Sequence, residues 1–569
     1  MSRKSGGGRS ADRSPDLSRR LGWIVAAVAL LVFLPGLSND FVNWDDDVNF
    51  LENPDYRGVG LDQLRWGASA FLLRHYHPLT WFTLSFDYAL WGMNPAGYHL
   101  TNALLHALAA ALVFLLFRDW LQLVRKEDAE SIAWAAAFGA LVFALHPLRV
   151  ESVAWASERR DVLSGVFVTA TLLLYTRRKD SWAAAAFAAA LLSKIIAVTL
   201  PVTLLLIDLY PLRRKPSVRL MLEKWPFALL AAGAAWIALG RYDSGVAGAV
   251  ADLDLYPGLR AALTLFGLAF YVVKTLAPWD LAPQYVWASS PSALDAVLLS
   301  GAVFTVAVTV AAILLRKRFP SLPVAWFAYV VTLLPVLSIV RLDRQQFVSD
   351  HHSYLAVLGL TALASGLWLS WLQRNRKVAL GAAAVLLAVL GALTVRQIGV
   401  WRDSTTLWTH TLEVSPLSIV AHNNLGRALA AQGHEAEAAE RFRRAAELEP
   451  RFAQAHYNLG SLLMKQGDLP GAQASLERAA QIEPRNAQVL NDLANCLLRR
   501  QRVEEALPRY EAAIGAAPGF ADARYNYALA LEFARRPREA AEQYRRVTEL
   551  DPTNQDAWRS LERLQTGRP

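Results

Sequence analysis

The chain has 569 residues, 54% of them hydrophobic, with 19 Trp and a formal charge of +9. It is too long for one ordinary domain, and its apolar content excludes a wholly soluble protein. The Lys and Arg stand in short clusters between apolar runs, which points to membrane orientation and away from a nucleic-acid surface. Its one cysteine, Cys496, cannot form an intramolecular disulfide, and no Cys/His cluster suggests structural zinc.

Residues 1–20 are rich in Ser, Gly and Arg and are expected to be a disordered basic N-terminus. Residues 21–396 read as one polytopic membrane domain. The run 21–37 has no small-residue cleavage site behind it and is expected to stay as the first membrane helix. A crossing needs roughly 20 apolar residues, with about 17 tolerated. Candidate spans are 21–37, 98–117, 131–146, 161–176, 181–193, 195–210, 225–240, 258–277, 292–315, 322–340, 353–372 and 378–395. Basic clusters lie at 19–20, 125–126, 177–179, 213–215, 316–318 and 374–377, and such clusters stay cytoplasmic. With the N-terminus inside, 316–318 and 374–377 fall outside, and only if 258–277 crosses. Laying 258–277 in the outer interface, as Pro278, Trp279 and Pro283 suggest, leaves about eleven crossings and puts the C-terminus outside. Twelve crossings would put it in the cytosol.

This threading collects the unusual polar residues on the outer face. The first outer loop, 38–97, holds Trp44-Asp45-Asp46-Asp47. Adjacent carboxylates repel, so one of them is a candidate base near neutral pH; the alternative is an acidic loop that only sets topology. His77 follows, then a Trp-rich amphipathic stretch, 79–91, expected to lie as a helix in the interface. His99, Asn102 and His106 form one polar stripe on an apolar helix, facing either a cavity or a neighbouring helix. The second outer loop carries His146, Arg149, Glu151, Glu158, Arg159, Arg160 and Asp161. Arg159 and Arg160 are candidates for a phosphate, or for neutralising the acids beside them. Lys194, between two apolar runs, is a further phosphate candidate or a snorkelling lysine. Tyr271, Lys274 and the segment Asp350-His351-His352-Ser353-Tyr354 complete the outer set; adjacent histidines alone do not make a metal site.

Residues 403–566 change character to Ala, Glu, Arg and Gln. Prolines recur every 34 residues at 416, 450, 484, 518 and 552. In the same register stand Leu425, Leu459, Leu493 and Tyr527, then Ala438, Ala472, Ala506 and Ala540, then Phe442, Leu476, Tyr510 and Tyr544. Small Ala where two helices cross, with a large residue one turn later, resembles the tetratricopeptide repeat (TPR). Four full repeats are expected over 418–553, with a partial helix at 403–415 and a capping helix at 554–565. Such a stack forms a concave groove for a partner protein, or serves as a spacer.

The succession Asn43-Trp44-Asp45-Asp46, His77-Pro78-Leu79-Thr80-Trp81, Tyr98-His99-Leu100-Thr101-Asn102, His146-Pro147, Glu151-Ser152-Val153-Ala154-Trp155, Glu158-Arg159-Arg160-Asp161 and Ser193-Lys194 precedes the 34-residue repeats. Together they resemble the transmembrane-and-TPR family of O-mannosyltransferases and its bacterial relatives, within the C-type glycosyltransferases. The resemblance covers about 38–565. It implies an all-α fold: a polytopic glycosyltransferase domain followed by a TPR α-solenoid. It further implies inverting transfer of a mannose-type sugar from a polyprenyl-phosphate donor to a protein hydroxyl on the extracytoplasmic face, with the repeats recruiting the acceptor. Asp45 and Asp46 would be catalytic. His146, Glu151, Arg159, Arg160, Asp161, Lys194, Lys274, His351 and Tyr354 would bind the donor phosphate and substrate, with His77, His99 and Asn102 near the pocket. No metal ligand set and no nucleotide loop is present; a divalent metal is the one cofactor left open. Partners are membrane lipids and a protein acceptor, and a bacterial inner membrane suits the composition. Two positions depart from the family pattern: relatives tend to have Asp-Arg-Tyr-Thr-Tyr where this chain has 350–354, and His where it has Arg149. Rival readings are a membrane-anchored TPR scaffold, or a ligase acting on a glycan or lipid.

Overall fold

A computed structural model describes residues 14–73, 75–240, 257–286, 294–337 and 348–566. Parts of the expected N-terminal tail and of the outer loops 241–290 and 341–352 lie outside the described residues. Among the described residues the chain is helical throughout and forms no strand; it divides into two compact units, Met1–Ser415 and Pro416–Pro569.

In the first unit five helices are long and apolar enough to cross a membrane: Asp16–Ser38, Pro95–Val124, Pro257–Leu276, Ala296–Lys317 and Arg376–Val400. Two further pairs, Ala129–Ala144 with Pro147–Ala154 and Asp350–Ala356 with Leu358–Arg374, each bend by 58° at a break. Asp180–Ser193, Ile195–Leu209, Trp225–Ala238 and Ser321–Val336 are apolar but shorter. The run expected at 161–176 begins its helix two residues earlier, at Arg159, so that three charged residues open its first turn. The expected interfacial helix forms as Pro78–Trp91; it buries Trp81, Leu84 and Asp87 and leaves Phe86, Leu90 and Trp91 exposed.

Local chemistry sets these boundaries. Asn94 caps the Pro95–Val124 helix by accepting from the Ala96 amide at 3.2 Å, with Pro95 in the first position, where its missing N–H is no loss. Asp128 caps the next helix at the Ser131 amide, 2.9 Å away. At about 45 Å, the 30-residue Pro95–Val124 helix outreaches a hydrocarbon core of about 30 Å, so its first turns project to the polar loops. Small residues let neighbouring helices approach: the Ser365 hydroxyl donates to the Ala135 carbonyl at 2.6 Å beside Gly139. Gly165 lies against the Tyr354 ring, where an added Cβ would overlap it. Tyr354 cannot move aside, because its hydroxyl is held by His106 at 2.8 Å. Gly165→Ala is therefore expected to cost about 1–3 kcal/mol, read as a lower thermal midpoint of the purified protein.

The second unit is the expected solenoid: Ile419–Ala431 with Glu435–Leu448, Ala453–Gln466 with Leu469–Ile482, Ala487–Arg499 with Val503–Ala516, Ala521–Phe533 with Pro537–Leu550, and a last helix, Gln555–Thr566. Ala438, Ala472, Ala506 and Ala540 are fully buried, as are Leu476, Tyr510 and Tyr544 in the large-residue register. The sequence reading placed the helix before the repeats with the solenoid. Ser404–Val414 instead belongs to the first unit, because the Trp408 indole donates to the Asn43 side chain at 2.6 Å and its ring packs edge-on against Trp44.

Candidate active site

The first and second polar loops are joined by Asp46 and its neighbours. Asp46 is fully buried; one carboxylate oxygen accepts from the Ser157 amide (2.9 Å) and hydroxyl (2.5 Å), the other from the Val42 amide (3.0 Å). The Trp155 indole donates to the Trp44 carbonyl at 2.7 Å, and the Asn49 amide to the Ser157 hydroxyl at 2.9 Å. Asp46 is thus a latch with both oxygens occupied. Asp45 is different: half-buried, with a left-handed backbone (φ 67°) that costs of order 1 kcal/mol. Burial raises its pKa to about 6 against the pull of Arg160, with Glu158 and Asp47 adding to the rise.

The second loop and its neighbours build an ion network beside Asp45. Glu158, fully buried, receives Arg160 on one oxygen (2.7 and 2.8 Å) and Lys194 on the other. Burial would raise the Glu158 pKa, but Arg160 and Lys194 hold it well below the usual carboxylate range. Lys194 also bridges to Asp161 at 2.6 Å, and Asp161 accepts from the Ser152 hydroxyl at 3.0 Å. His351 donates its amide to Glu151 (3.0 Å), pairs its ring with the same carboxylate (2.8 Å) and approaches Glu158 at 4.0 Å. His77 stacks on Trp81 at 5.4 Å; burial and the charge of Arg160 hold it near pKa 3, so it stays neutral.

The structure therefore brings together Asp45, Glu151, Arg160, Asp161, Lys194, His351 and His77. It separates others from them. Arg159 was expected to face a phosphate, but it is fully buried and turned inward, paired with Asp87 at 2.6 Å and bonded to the Asn102 side chain and the Tyr98 carbonyl. Asn102 in turn holds the Val153 and Trp155 carbonyls at 3.2 and 3.3 Å, so it shapes the second loop from below. His99 is buried against the backbone of Asn39 and Asp40. His146 caps a short helix, its ring bonding the Leu148 amide and the Thr275 carbonyl. Lys274 closes its own helix on the Trp279 and Asp280 carbonyls, and Tyr354 is buried on His106. Arg149 and the 350–354 segment touch each other: Arg149 binds the Ser353 hydroxyl at 2.8 Å and carbonyl at 3.2 Å and lies over the Tyr354 ring. Arg149, fully buried, therefore secures the 350–354 segment.

Sequence reasoning missed Glu158 as the hub, because it read that acid only as a charge balance. It also missed Asp87, although a lone carboxylate in the apolar stretch 78–91 was a usable signal. Among the described residues no group of three or more His, Cys, Asp or Glu could hold a metal ion.

Below the network lies a cavity of about 690 Å³ with mostly apolar walls. Ile196, Ala197 and Leu355, close in sequence to Lys194 and His351, line one part; Arg125, Tyr210, Arg318 and Ser370 line another. The Leu334–Val336 turn contacts Ile195–Thr199, and the helix before it runs alongside Leu200–Leu209. The start of that helix, with Arg318 just ahead of it, is therefore at the Tyr210 end, about 20 Å from the ion network.

Apolar helices of spanning length together with a repeat solenoid define a multi-pass membrane protein of the TPR class. The tetratricopeptide repeat model matches residues 459–519 and 491–555, and a second TPR repeat model matches 426–467. The chain is 29% identical over 189 residues to the protein O-mannosyl-transferase F38B6.6 of Caenorhabditis elegans, covering 31% of this chain and 26% of that one. It is 26% identical over 501 residues to the protein O-mannosyl-transferase TMTC4 of Mus musculus, covering 74% of this chain and 65% of that one. The human protein O-mannosyl-transferase TMTC1 is 32% identical over 197 residues, 32% of this chain and 21% of that one. The solved TPR protein YrrB aligns over 34% of this chain and 97% of its own, at 20% identity and TM-score 0.26. The mouse alignment is too long for the repeats alone and includes part of the membrane unit. Over these stretches the chain is similar to protein O-mannosyl-transferases, although it spans under two thirds of the length of each of these relatives.

Proposed function

We propose that this chain is an inverting membrane glycosyltransferase that moves a mannose-type sugar from a polyprenyl-phosphate donor to a protein hydroxyl on the extracytoplasmic face. The observation that carries this reading is the meeting of a half-buried, raised-pKa carboxylate, Asp45, with Arg160, which shares Glu158 with Lys194, near an apolar cavity deep enough for a lipid tail. The acceptor O–H proton passes to Asp45. The acceptor oxygen bonds to the anomeric carbon as the bond from that carbon to the phosphate oxygen breaks, and the electron pair leaves on the lipid phosphate. Arg160 and Lys194, held by Glu158, stabilise that charge in a site already organised for it. The repeats recruit the acceptor.

The topology proposed is a cytoplasmic N-terminus, eleven crossings and extracytoplasmic repeats, in a bacterial inner membrane. The shared cavity end of Arg125, Tyr210 and Arg318 supports it, because the 316–318 cluster then sides with the other basic clusters. A cysteine introduced at exposed Arg402 would react with an impermeant maleimide from outside in this topology, and only after permeabilisation in the twelve-crossing alternative.

A general base works only when deprotonated, and the Asp45 pKa is about 6. Transfer is therefore expected to level off above about pH 7 and to fall toward tenfold per unit below pH 6, measured as release of polyprenyl phosphate from a radiolabelled donor. A rate independent of pH between 4.5 and 7 would remove Asp45 as the base.

A further inference from the structure

The cavity below the ion network is polar at both ends. One end, at Ile196 and Leu355, adjoins Lys194 and His351 in the chain. The walls of the other end carry Arg125 and Arg318, with the hydroxyl residues Tyr210, Ser321 and Ser370. An apolar tail descending from the network would end against these two cations, which a hydrocarbon chain cannot solvate. The protein itself matches them poorly. Arg125 donates to the Gly366 carbonyl (3.2 Å) and the Ser370 hydroxyl (3.1 Å), and Glu127 stands 3.9 Å away, beyond hydrogen-bond reach. Arg318 makes no ion pair among the described residues; its guanidinium lies over the Phe319 ring, 5.3 Å from the centroid. Cations off the cavity are paired instead: Arg118 and Arg177 on Asp119, Arg214 on Asp208 and Glu223. The wall beside Arg318 opens sideways, since Leu315, Phe319 and Leu367 line the cavity and are exposed.

We propose that this end is a site for an anionic phospholipid of the adjoining leaflet, with its headgroup phosphate on Arg125 and Arg318 and one acyl chain in the cavity. A phosphodiester offers two terminal oxygens that a guanidinium fork matches, and basic pockets between spanning helices take anionic headgroups on this principle. The site selects net charge. A zwitterionic headgroup would bring its own cation toward two guanidiniums, whereas a glycerol headgroup brings only hydroxyls, for which Tyr210 and Ser321 are partners. Length sets the relation to the donor. Half of a hydrocarbon core of about 30 Å is about 15 Å, the depth that one acyl chain fills. The cavity runs about 20 Å between its polar ends, the rise of the 13-residue Ser321–Leu333 helix that flanks it. It cannot hold an acyl chain from one end and a donor tail of similar depth from the other, so the two lipids exclude one another in part. The headgroup site stands on the cavity and its cations; only this exclusion rests on the reading of the cavity as the donor's tail site. In the proposed topology the leaflet is the cytoplasmic one.

The test uses the full-length protein in phosphatidylcholine nanodiscs, doped with phosphatidylglycerol or phosphatidylcholine whose acyl chain carries a diazirine. After photolysis, labelled peptides are read by mass spectrometry. The phosphatidylglycerol probe is expected to label the walls at 196–203 and 324–332 on the order of tenfold more than the phosphatidylcholine probe, since a hydrogen bond to a charged group is worth about that factor. The exposed face at Val303 and Val306 should take up both probes equally. Arg125→Gln with Arg318→Gln should abolish the preference at an unchanged melting temperature. Equal labelling of the walls by the two probes in the wild-type protein, or none by either, would overturn the site whether or not the double variant folds. Retention of the preference by a folded double variant would overturn it as well. So would its loss in excess glycerol phosphate, which would make the ligand a soluble phosphate. Selective labelling without any sugar transfer in the presence of donor would retain the lipid site and remove the transferase reading; transfer without selective labelling would do the reverse.

Discussion

Asp45→Asn is expected to lower sugar transfer by about 10²–10⁴-fold, the usual worth of a positioned base, with the melting temperature nearly unchanged. The carboxylate is half-buried and is not among the bonds that join the two polar loops, so its amide replacement fits the same space. Asp46→Asn should behave in the opposite way. Its amide nitrogen would confront either the Val42 amide or the two Ser157 donors, leaving a buried donor unpaired at about 1–3 kcal/mol. Stability falls, and the rate of the protein that remains folded stays within a few-fold. Transfer assays normalised to folded protein, run beside thermal melts, separate these outcomes.

The second large effect is at Arg159. Truncation to Ala would strand the Asp87 carboxylate, which is itself buried, and leave the Asn102 side chain and the Tyr98 carbonyl without their partner. Breaking a buried pair in this way costs about 3–5 kcal/mol, enough to prevent recovery of folded protein. Asp87→Asn together with Arg159→Met should recover much of the loss, because neither replacement carries a charge. Arg160→Gln, one residue along, leaves Glu158 its second cation, Lys194, and is expected to fold and to lose activity instead. Expression level and thermal midpoint for the first position, against turnover for the second, check the contrast.

These two adjacent pairs mark the limit of what the sequence conveys. The repeats were readable because a 34-residue period records packing directly: Ala438 and Phe442 are buried for the reason their spacing suggested. The loops that carry the site were readable as well, since clustered ionisable residues between apolar runs are costly without a purpose. Which Asp and which Arg face the pocket was not readable. Successive residues at the start of a helix point about 100° apart, and the partner that turns Arg159 inward, Asp87, lies 72 residues earlier. The Asp45 backbone conformation is likewise a property of the folded turn. Arg149 and the 350–354 segment appeared as two unrelated features, and only their contact across 204 residues joins them. The helix Ser404–Val414 was misassigned because its amphipathic pattern suits either unit; Trp408 on Asn43 decides it.

In the proposed reaction Asp45 and Arg160 act on one lipid-linked sugar. The most direct measurement reconstitutes the purified full-length protein in nanodiscs with polyprenyl-phosphate [³H]mannose and an extended Ser/Thr-containing polypeptide. Wild-type protein should produce labelled polypeptide and free polyprenyl phosphate in equal amounts, with neither product from Asp45→Asn or Arg160→Gln. Undiminished transfer by Asp45→Asn, or an intact donor after prolonged incubation with the wild type, would contradict it.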